Sequence, residues 1–228
     1  MSGHGISRED VRAWPNDSEA AAELADYLED LNASVGEVAK VLSGEMMDFR
    51  GADLSHLMLD EAFLFNADLS DVRLVGASLG RANLGGAILR RSDLTSADLT
   101  KAELVECDAQ HATFTGATLF SVDFSDADLR SVDLRDAIVN STSFFQTRLD
   151  GADLRNASLR FCHFGHQEAA ATIMTGASIA NCAFDEAGGF VVGPVDIGDD
   201  ETDLLEGAAL ASWFHAHGAP AIKVVAGR

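Results

Sequence analysis

Basic charge is scarce in this sequence: 16 Lys and Arg stand against 37 Asp and Glu, a formal net charge of −21. Such an acidic excess excludes passive attraction to nucleic acid or to an anionic membrane, because either contact would be repulsive. Cysteine is nearly absent, with three residues and no CxxC pair. An odd set of this kind fits a reducing compartment and argues against a zinc site or a disulfide framework. No run approaches the roughly 18 apolar residues of a membrane span, and no basic segment leads into an apolar stretch at the N-terminus. The chain therefore reads as cytoplasmic. Aromatics other than Phe are few, with two Trp and one Tyr against 13 Phe. There is no Gly-rich phosphate loop ending in Lys-Ser/Thr, no GxSxG elbow and no HExxH, so neither an enzyme nor a cofactor is expected. Disorder does not follow from the charge, because 47% of the 228 residues are hydrophobic, enough for a substantial core.

What is present is a period of five. Every fifth residue from Phe49 to Phe184 is Leu, Phe, Val, Met or Ile, apart from Ala109 and Ala169. These 28 positions run without a frame shift, and two residues before each lies a column dominated by Ala, Ser, Thr, Cys and Val. A five-residue step turns about 500° on an α-helix and would spiral round it. On a flat strand the same step alternates between faces. A chain that turns a corner every five residues points both columns inward on every side. Four sides make a square coil of 20 residues, and 28 units make seven coils, a rod roughly 34 Å long at about 4.8 Å per coil.

The unit is A(D/N)Lxx, undiluted at Ala52-Asp53-Leu54, Ala67-Asp68-Leu69, Ala82-Asn83-Leu84, Ala97-Asp98-Leu99, Ala127-Asp128-Leu129 and Ala152-Asp153-Leu154. It resembles the repeat of the pentapeptide-repeat proteins. The resemblance implies an all-β solenoid, a right-handed quadrilateral β-helix of about seven coils over residues 46–187. Members of that family, the Qnr proteins and the mycobacterial quinolone-resistance proteins among them, resemble B-DNA in width and charge and bind DNA gyrase or topoisomerase IV. What the resemblance implies here is a non-enzymatic DNA mimic with a type II topoisomerase as partner, giving drug or self-resistance. The alternative is an interaction scaffold for an unrelated protein.

The flanks differ from the repeat. Residues 1–45 read as helical, with Ser18 as a cap before Leu24, Tyr27, Leu28 and Leu31. A capping box of Ser34 and Glu37 then precedes Val35, Val38, Val41 and Leu42, with Gly44 as a stop. After Phe184 the Gly-Gly pair and Pro194 break the repeat. A helix is expected over 202–217, with Leu204, Leu205, Ala208, Ala209, Trp213 and Phe214 on it, and then a strand with Ile222, Val224 and Val225. Solenoid ends need cover, so the flanks 1–45 and 188–228 read as caps. A homodimer interface at the C-terminal end is the other reading, which the family resemblance implies.

Residues 20 apart share a side, so charge can be sorted by face. The fourth face, through Leu64, Leu84, Leu104, Phe124, Phe144, Phe164 and Phe184, receives Glu103, Glu106, Asp123, Asp126, Asp185 and Glu186 and no Lys or Arg. Glu103 stacks under Asp123 and Glu106 under Asp126. This block is the candidate partner-binding site, a surface offering carboxylates where a partner expects phosphates; the plain alternative is a solvated face that keeps the rod soluble. On the same spacing Cys162 and Cys182 stack as neighbouring buried thiols. Outward Phe63 and Phe65 are expected under the N-terminal helix. No metal site is expected at His163 and His166 or at His215 and His217.

Overall fold

A computed structural model describes residues 11–33, 40–166 and 170–226. The five-residue unit forms one corner and one bridge at each step. At most steps the N–H of the residue three beyond the inward Leu or Phe donates to that residue's carbonyl, as from Ala52 to Phe49 at 3.0 Å and from Ala97 to Leu94 at 3.0 Å. The third residue of each such turn is left-handed, including Glu106 (φ 59°) and Asp126 (φ 59°), the arrangement of a type II turn. The residue before each inward Leu or Phe bridges its counterpart on the next coil in parallel, from Ser43–Phe63 to Ser143–His163, always 20 residues apart. Leu and Phe at the first inward column and Ala, Val, Thr and Cys at the second are buried, apart from the half-buried Cys182. Apolar surface removed from water on all four sides drives the stack.

The Asp or Asn of the unit has a local task. Its side-chain oxygen accepts the backbone N–H two residues on, at the corner: Asp68 from Ser70 (3.0 Å), Asn83 from Gly85 (3.0 Å), Asp93 from Thr95 (3.1 Å), Asp123 from Ser125 (2.9 Å) and Asp133 from Arg135 (3.0 Å). Asp and Asn form such turns because their short side chains reach that N–H without strain. Threonine and cysteine in the small inward column are satisfied in a similar way, donating to a carbonyl on the coil below: Thr142 to Leu119 (2.6 Å), Thr147 to Phe124 (2.7 Å), Cys162 to Val139 (2.7 Å).

The coil register changes once the chain passes His163. Arg148 bridges Ile173, Asp153 bridges Ser178 and Ser158 bridges Ala183, each 25 residues apart. One five-residue unit is inserted, so the frame of five persists while every later residue moves round by one side. Phe184 therefore lies over Leu159, not over Phe164, and Arg160 pairs with Asp185 at 2.9 Å. Asp185 and Glu186 belong to the third face, which corrects their assignment to the fourth. Cys182 likewise leaves the column of Cys162 and donates to the Leu154 carbonyl at 2.8 Å.

On either side of the insertion the sides lengthen into short strands. β1 (His163–Phe164) and β2 (Thr172–Ile173) both pair in parallel with β3 (Gly188–Val192). β3 crosses β1 so closely that a Cβ on Gly189, at φ 118°, would fall 2.4 Å from the Gly165 carbonyl oxygen. The Gly-Gly pair keeps the chain in the stack while the five-residue frame ends there, as Thr172 pairs with Val191 and Ser178 with Asp196. β4 (Val195–Asp196) pairs with β5 (Leu204–Leu205), then come α2 (Gly207–Ala216) and β6 (Ala221–Val225), which pairs in parallel with β3. Leu204 and Leu205 are thus in a strand, not in the expected helix. α2 buries Leu210 and Phe214, and Phe214 meets Phe184 edge-on at 5.2 Å.

At the other end, α1 (Ser18–Ala33) buries Ala20, Leu24, Tyr27 and Leu28. Asp17, not Ser18, is its cap, accepting the N–H groups of Glu19 (3.0 Å) and Ala20 (2.9 Å). The Tyr27 hydroxyl donates to the Met58 carbonyl, and burial, with the nearby Asp60 charge, pushes its pKa up to about 12. The proposed capping box at Ser34 and Glu37 lies outside the described residues. Val41 and Leu42 are not helical, and Ser43 already bridges Phe63.

Candidate functional site

On the other three faces many acids are paired with Arg, although Asp60, Asp93, Asp98 and Asp136 form no ion pair among the described residues. An Arg two residues after the corner Asp folds back on it, as Arg50 does on Asp48, Arg130 on Asp128 (2.6 Å), Arg135 on Asp133 (2.6 Å) and Arg155 on Asp153 (2.6 Å). Other pairs cross between coils, including Arg91 with Asp71 (2.7 Å), Arg81 with Glu61 (3.2 Å) and Arg90 with Asp108. The hydrogen bond from Arg155 holds the Asp153 carboxyl below the usual carboxylate range, and Arg91 does the same for Asp71.

The fourth face has no such partner. Glu103 bridges Asp123 in parallel, and Glu106 donates its backbone N–H to the Ser125 carbonyl at 2.9 Å, so Glu106 lies directly below Asp126. The structure thus brings together all four residues of the candidate block. Among the described residues no Lys or Arg forms an ion pair with any of them. Asp123 is engaged by its own corner, since Ser125 donates both its N–H (2.9 Å) and its hydroxyl (2.5 Å) to one carboxylate oxygen. Glu103, Glu106 and Asp126 are exposed, and Glu45 joins the same face at its N-terminal end.

Apolar side chains flank the acids. Phe63 and Phe65 are 52% and 42% exposed, so the N-terminal helix does not cover them; Met46 beside them is 75% exposed. Between this cluster and the carboxylates the face carries Gly85 and Gly86, whose missing side chains leave space that the Phe65 ring and the Asn66 side chain occupy. The Phe65 ring leans over Gly85, where a Cβ would meet it at 3.2 Å. Toward the other end of the face Phe145 stacks on His166, 4.6 Å between ring centroids. Under this surface, Phe124, Phe144 and Phe164 stack in the interior at 5.8 and 5.5 Å.

Among the described residues no group of His, Cys, Asp or Glu is arranged to hold a metal ion, and no helix is long and apolar enough to cross a membrane. Hollows lie at the ends of the molecule, two of them lined by described residues. One of about 470 Å³ is lined by Gly193, Glu206, Gly207 and Val224. The other, of about 300 Å³, lies between Tyr27, Leu31 and Met58. Burial pushes the Cys162 and Cys182 thiols up to about 12, so neither is a thiolate near neutral pH.

The family model for pentapeptide repeats matches residues 48–86, 77–116 and 97–136. No curated protein matches the chain. Among solved structures the chain is similar to HetL, a pentapeptide repeat protein involved in heterocyst differentiation regulation from the cyanobacterium Nostoc sp. strain PCC 7120. The identity is 21%, with 71% of this chain and 94% of that one covered at a TM-score of 0.31. It is also similar to QnrB1, a plasmid-mediated fluoroquinolone resistance protein, at 15% identity over 80% of this chain and 91% of that one, TM-score 0.40. A third is Rfr23 from the cyanobacterium Cyanothece 51142, at 21% identity over 60% and 91%, TM-score 0.24. Proteins built from this repeat fold as right-handed quadrilateral β-helices. Residues 48–136, and with them the stack they build, belong to the pentapeptide-repeat family.

Proposed function

We propose that this chain is a non-catalytic interaction protein of the cytoplasm, a rod of about seven coils closed by α1 and α2, whose fourth face binds a protein partner. Glu103, Glu106, Asp123 and Asp126 are its contact residues. The partner class is a type II topoisomerase, DNA gyrase or topoisomerase IV, which would take these carboxylates in place of DNA phosphates; the outcome is drug or self-resistance. One observation carries this reading: the four carboxylates are stacked on a face that has no Lys or Arg, while on the neighbouring faces acids such as Asp71, Asp128, Asp133 and Asp153 are paired with Arg. Like charges about 5 Å apart in water repel by roughly 0.8 kcal/mol, a small cost that folding leaves unrelieved and a cationic partner surface would remove. The chain's net charge of −21 opposes direct binding to nucleic acid or to an anionic membrane. Unpaired cysteines suit a reducing compartment.

The test is a supercoiling assay with DNA gyrase, with and without a quinolone. Inhibition or drug protection that disappears on charge reversal at Glu103, Glu106, Asp123 and Asp126 is the expected result. No effect at micromolar protein, with the fold intact, rejects the topoisomerase reading. A scaffold for an unrelated protein partner is the second reading, favoured by the exposed Phe63 and Phe65, which a pure imitation of DNA does not need. A homodimer through residues 188–228 belongs to the same proposal. It is supported by β6, which pairs with β3 and with no other named strand among the described residues. Light scattering at micromolar concentration reads it directly.

A further inference from the structure

The fourth face is graded along the rod. Met46, Phe63 and Phe65 form an exposed apolar cluster at its N-terminal end. Gly85 and Gly86 follow one coil on, then Glu103, Val105 and Glu106, then Asp123 and Asp126, in the order fixed by the parallel bridges Phe63–Asn83, Asn83–Glu103 and Glu103–Asp123. At about 4.8 Å per coil, the Phe pair lies roughly 10 Å from the first carboxylates and roughly 14 Å from the second. A helix rises about 1.5 Å per residue, so these spacings correspond to roughly six to seven and nine to ten residues along a helix laid parallel to the rod. The glycine step between them is spanned by the Phe65 ring, which leans over Gly85 toward the acids, and by the Asn66 side chain over Gly86, so the apolar anchor and the carboxylates form one continuous strip.

We propose that this strip docks an amphipathic, arginine-bearing helical segment of a partner protein, with apolar side chains on Phe63 and Phe65 and guanidinium groups on Glu103, Glu106 and Asp126. Charge complementarity selects the occupant: the face has carboxylates and no Lys or Arg, so a cationic segment gains where an anionic or neutral one does not. Arginine suits it better than lysine, because a planar guanidinium can fork onto a carboxylate and stack on an aromatic ring at the same time. An aromatic anchor beside a charged rim is also the composition of protein-binding hot spots. The proposal rests on the reading of the acidic face as a protein-binding surface and adds the apolar anchor and the spacing.

The experiment measures fluorescence anisotropy of a labelled synthetic helix of about 18 residues, with two Leu at one end and Arg seven and ten residues further along the same face. Its control is a peptide of equal composition in scrambled order. Expected is saturable binding at least tenfold tighter than the control. F63S/F65S and E103Q/E106Q should each weaken it about tenfold, while E61Q on the third face leaves it within twofold. Circular dichroism verifies that the variants are folded. Binding unchanged in F63S/F65S, a scrambled peptide that binds equally well, or no binding at 100 micromolar protein overturns the proposal. If F63S/F65S is without effect but E103Q/E106Q weakens binding, the acidic-face reading survives and only the anchored segment falls. If both variants bind as the parent does, both readings fall.

Discussion

The second face, through Leu134 and Leu154, and the fourth, through Phe124 and Phe144, are built on one plan and differ in whether their acids are paired with Arg. Asp133 and Asp123 each accept a backbone N–H at their corner, at 3.0 and 2.9 Å. The residue supplying that N–H decides the rest. On the second face it is Arg135, which forks onto Asp133 and reaches Asp153 at 3.6 Å; on the fourth it is Ser125, which adds a hydroxyl and no charge. The comparison teaches that Asp in this repeat is first a turn residue. A count of acids therefore overstates the negative surface, and the free charge is set by what stands two positions later.

Four measurements test that comparison, the largest effect first. Both faces cover one interior, so Phe144→Ala, which removes the middle ring of the stack, should cost about 3–5 kcal/mol, and Leu134→Ala about 2–5 kcal/mol, in denaturant unfolding. A loss below about 1 kcal/mol at either site would mean that the coils do not share a packed core. Next, Ser125→Arg should convert the fourth face into a copy of the second by forking onto Asp123. Binding to the arginine helix should fall about tenfold, with stability changed by no more than about 0.5 kcal/mol. Retained binding would show that the uncompensated charge is not what the partner reads.

Third, Asp123→Ala and Asp133→Ala should each lose about 1–2 kcal/mol through the missing corner bond. The Asp133 variant should lose slightly more, because it also releases Arg135, an exposed pairing worth roughly 0.2–1 kcal/mol. Equal stability of either variant with the parent would remove the turn function assigned to Asp. The smallest effect is in pH. Arg155 lowers the Asp153 carboxyl pKa and Arg50 lowers that of Asp48. A carboxyl lowered on folding contributes stability that is present above its unfolded pKa, near about 4, and is lost as pH falls through its folded value. Arg155→Gln should therefore be less stable than the parent at pH 6, with the gap closing toward pH 3 in thermal melts. A gap independent of pH would assign the loss to packing of the arginine stem.

The local plan was legible without coordinates. Leu129 and Leu134 point inward, Asp128 and Asp133 outward, and Glu103 and Asp123 stack, because a side of five residues returns each position to the same environment. The A(D/N)L unit also carries the signal for the corner bond, an Asp or Asn two residues before the turn N–H, which a sum of charges misses. Cap identity was a one-residue matter, Asp17 in place of Ser18. The exposure of Phe63 and Phe65 was not legible, since it depends on where α1 packs, and α1 settles with Tyr27 on Met58.

The sequence by itself determined the pentapeptide frame, both inward columns and the spacing that gathers Glu103, Glu106, Asp123 and Asp126, since all three follow from short-range turn geometry and burial. Only the tertiary structure decided how many units separate one coil from the next. The inserted unit after Phe164 leaves the frame of five intact but lengthens the bridge register from 20 to 25 residues, moving Asp185 and Glu186 to the third face and Cys182 away from Cys162. The reason is physical: a corner is encoded within five residues, whereas the alignment of stacked coils is a contact between residues far apart in the chain, and no single repeat unit carries that information.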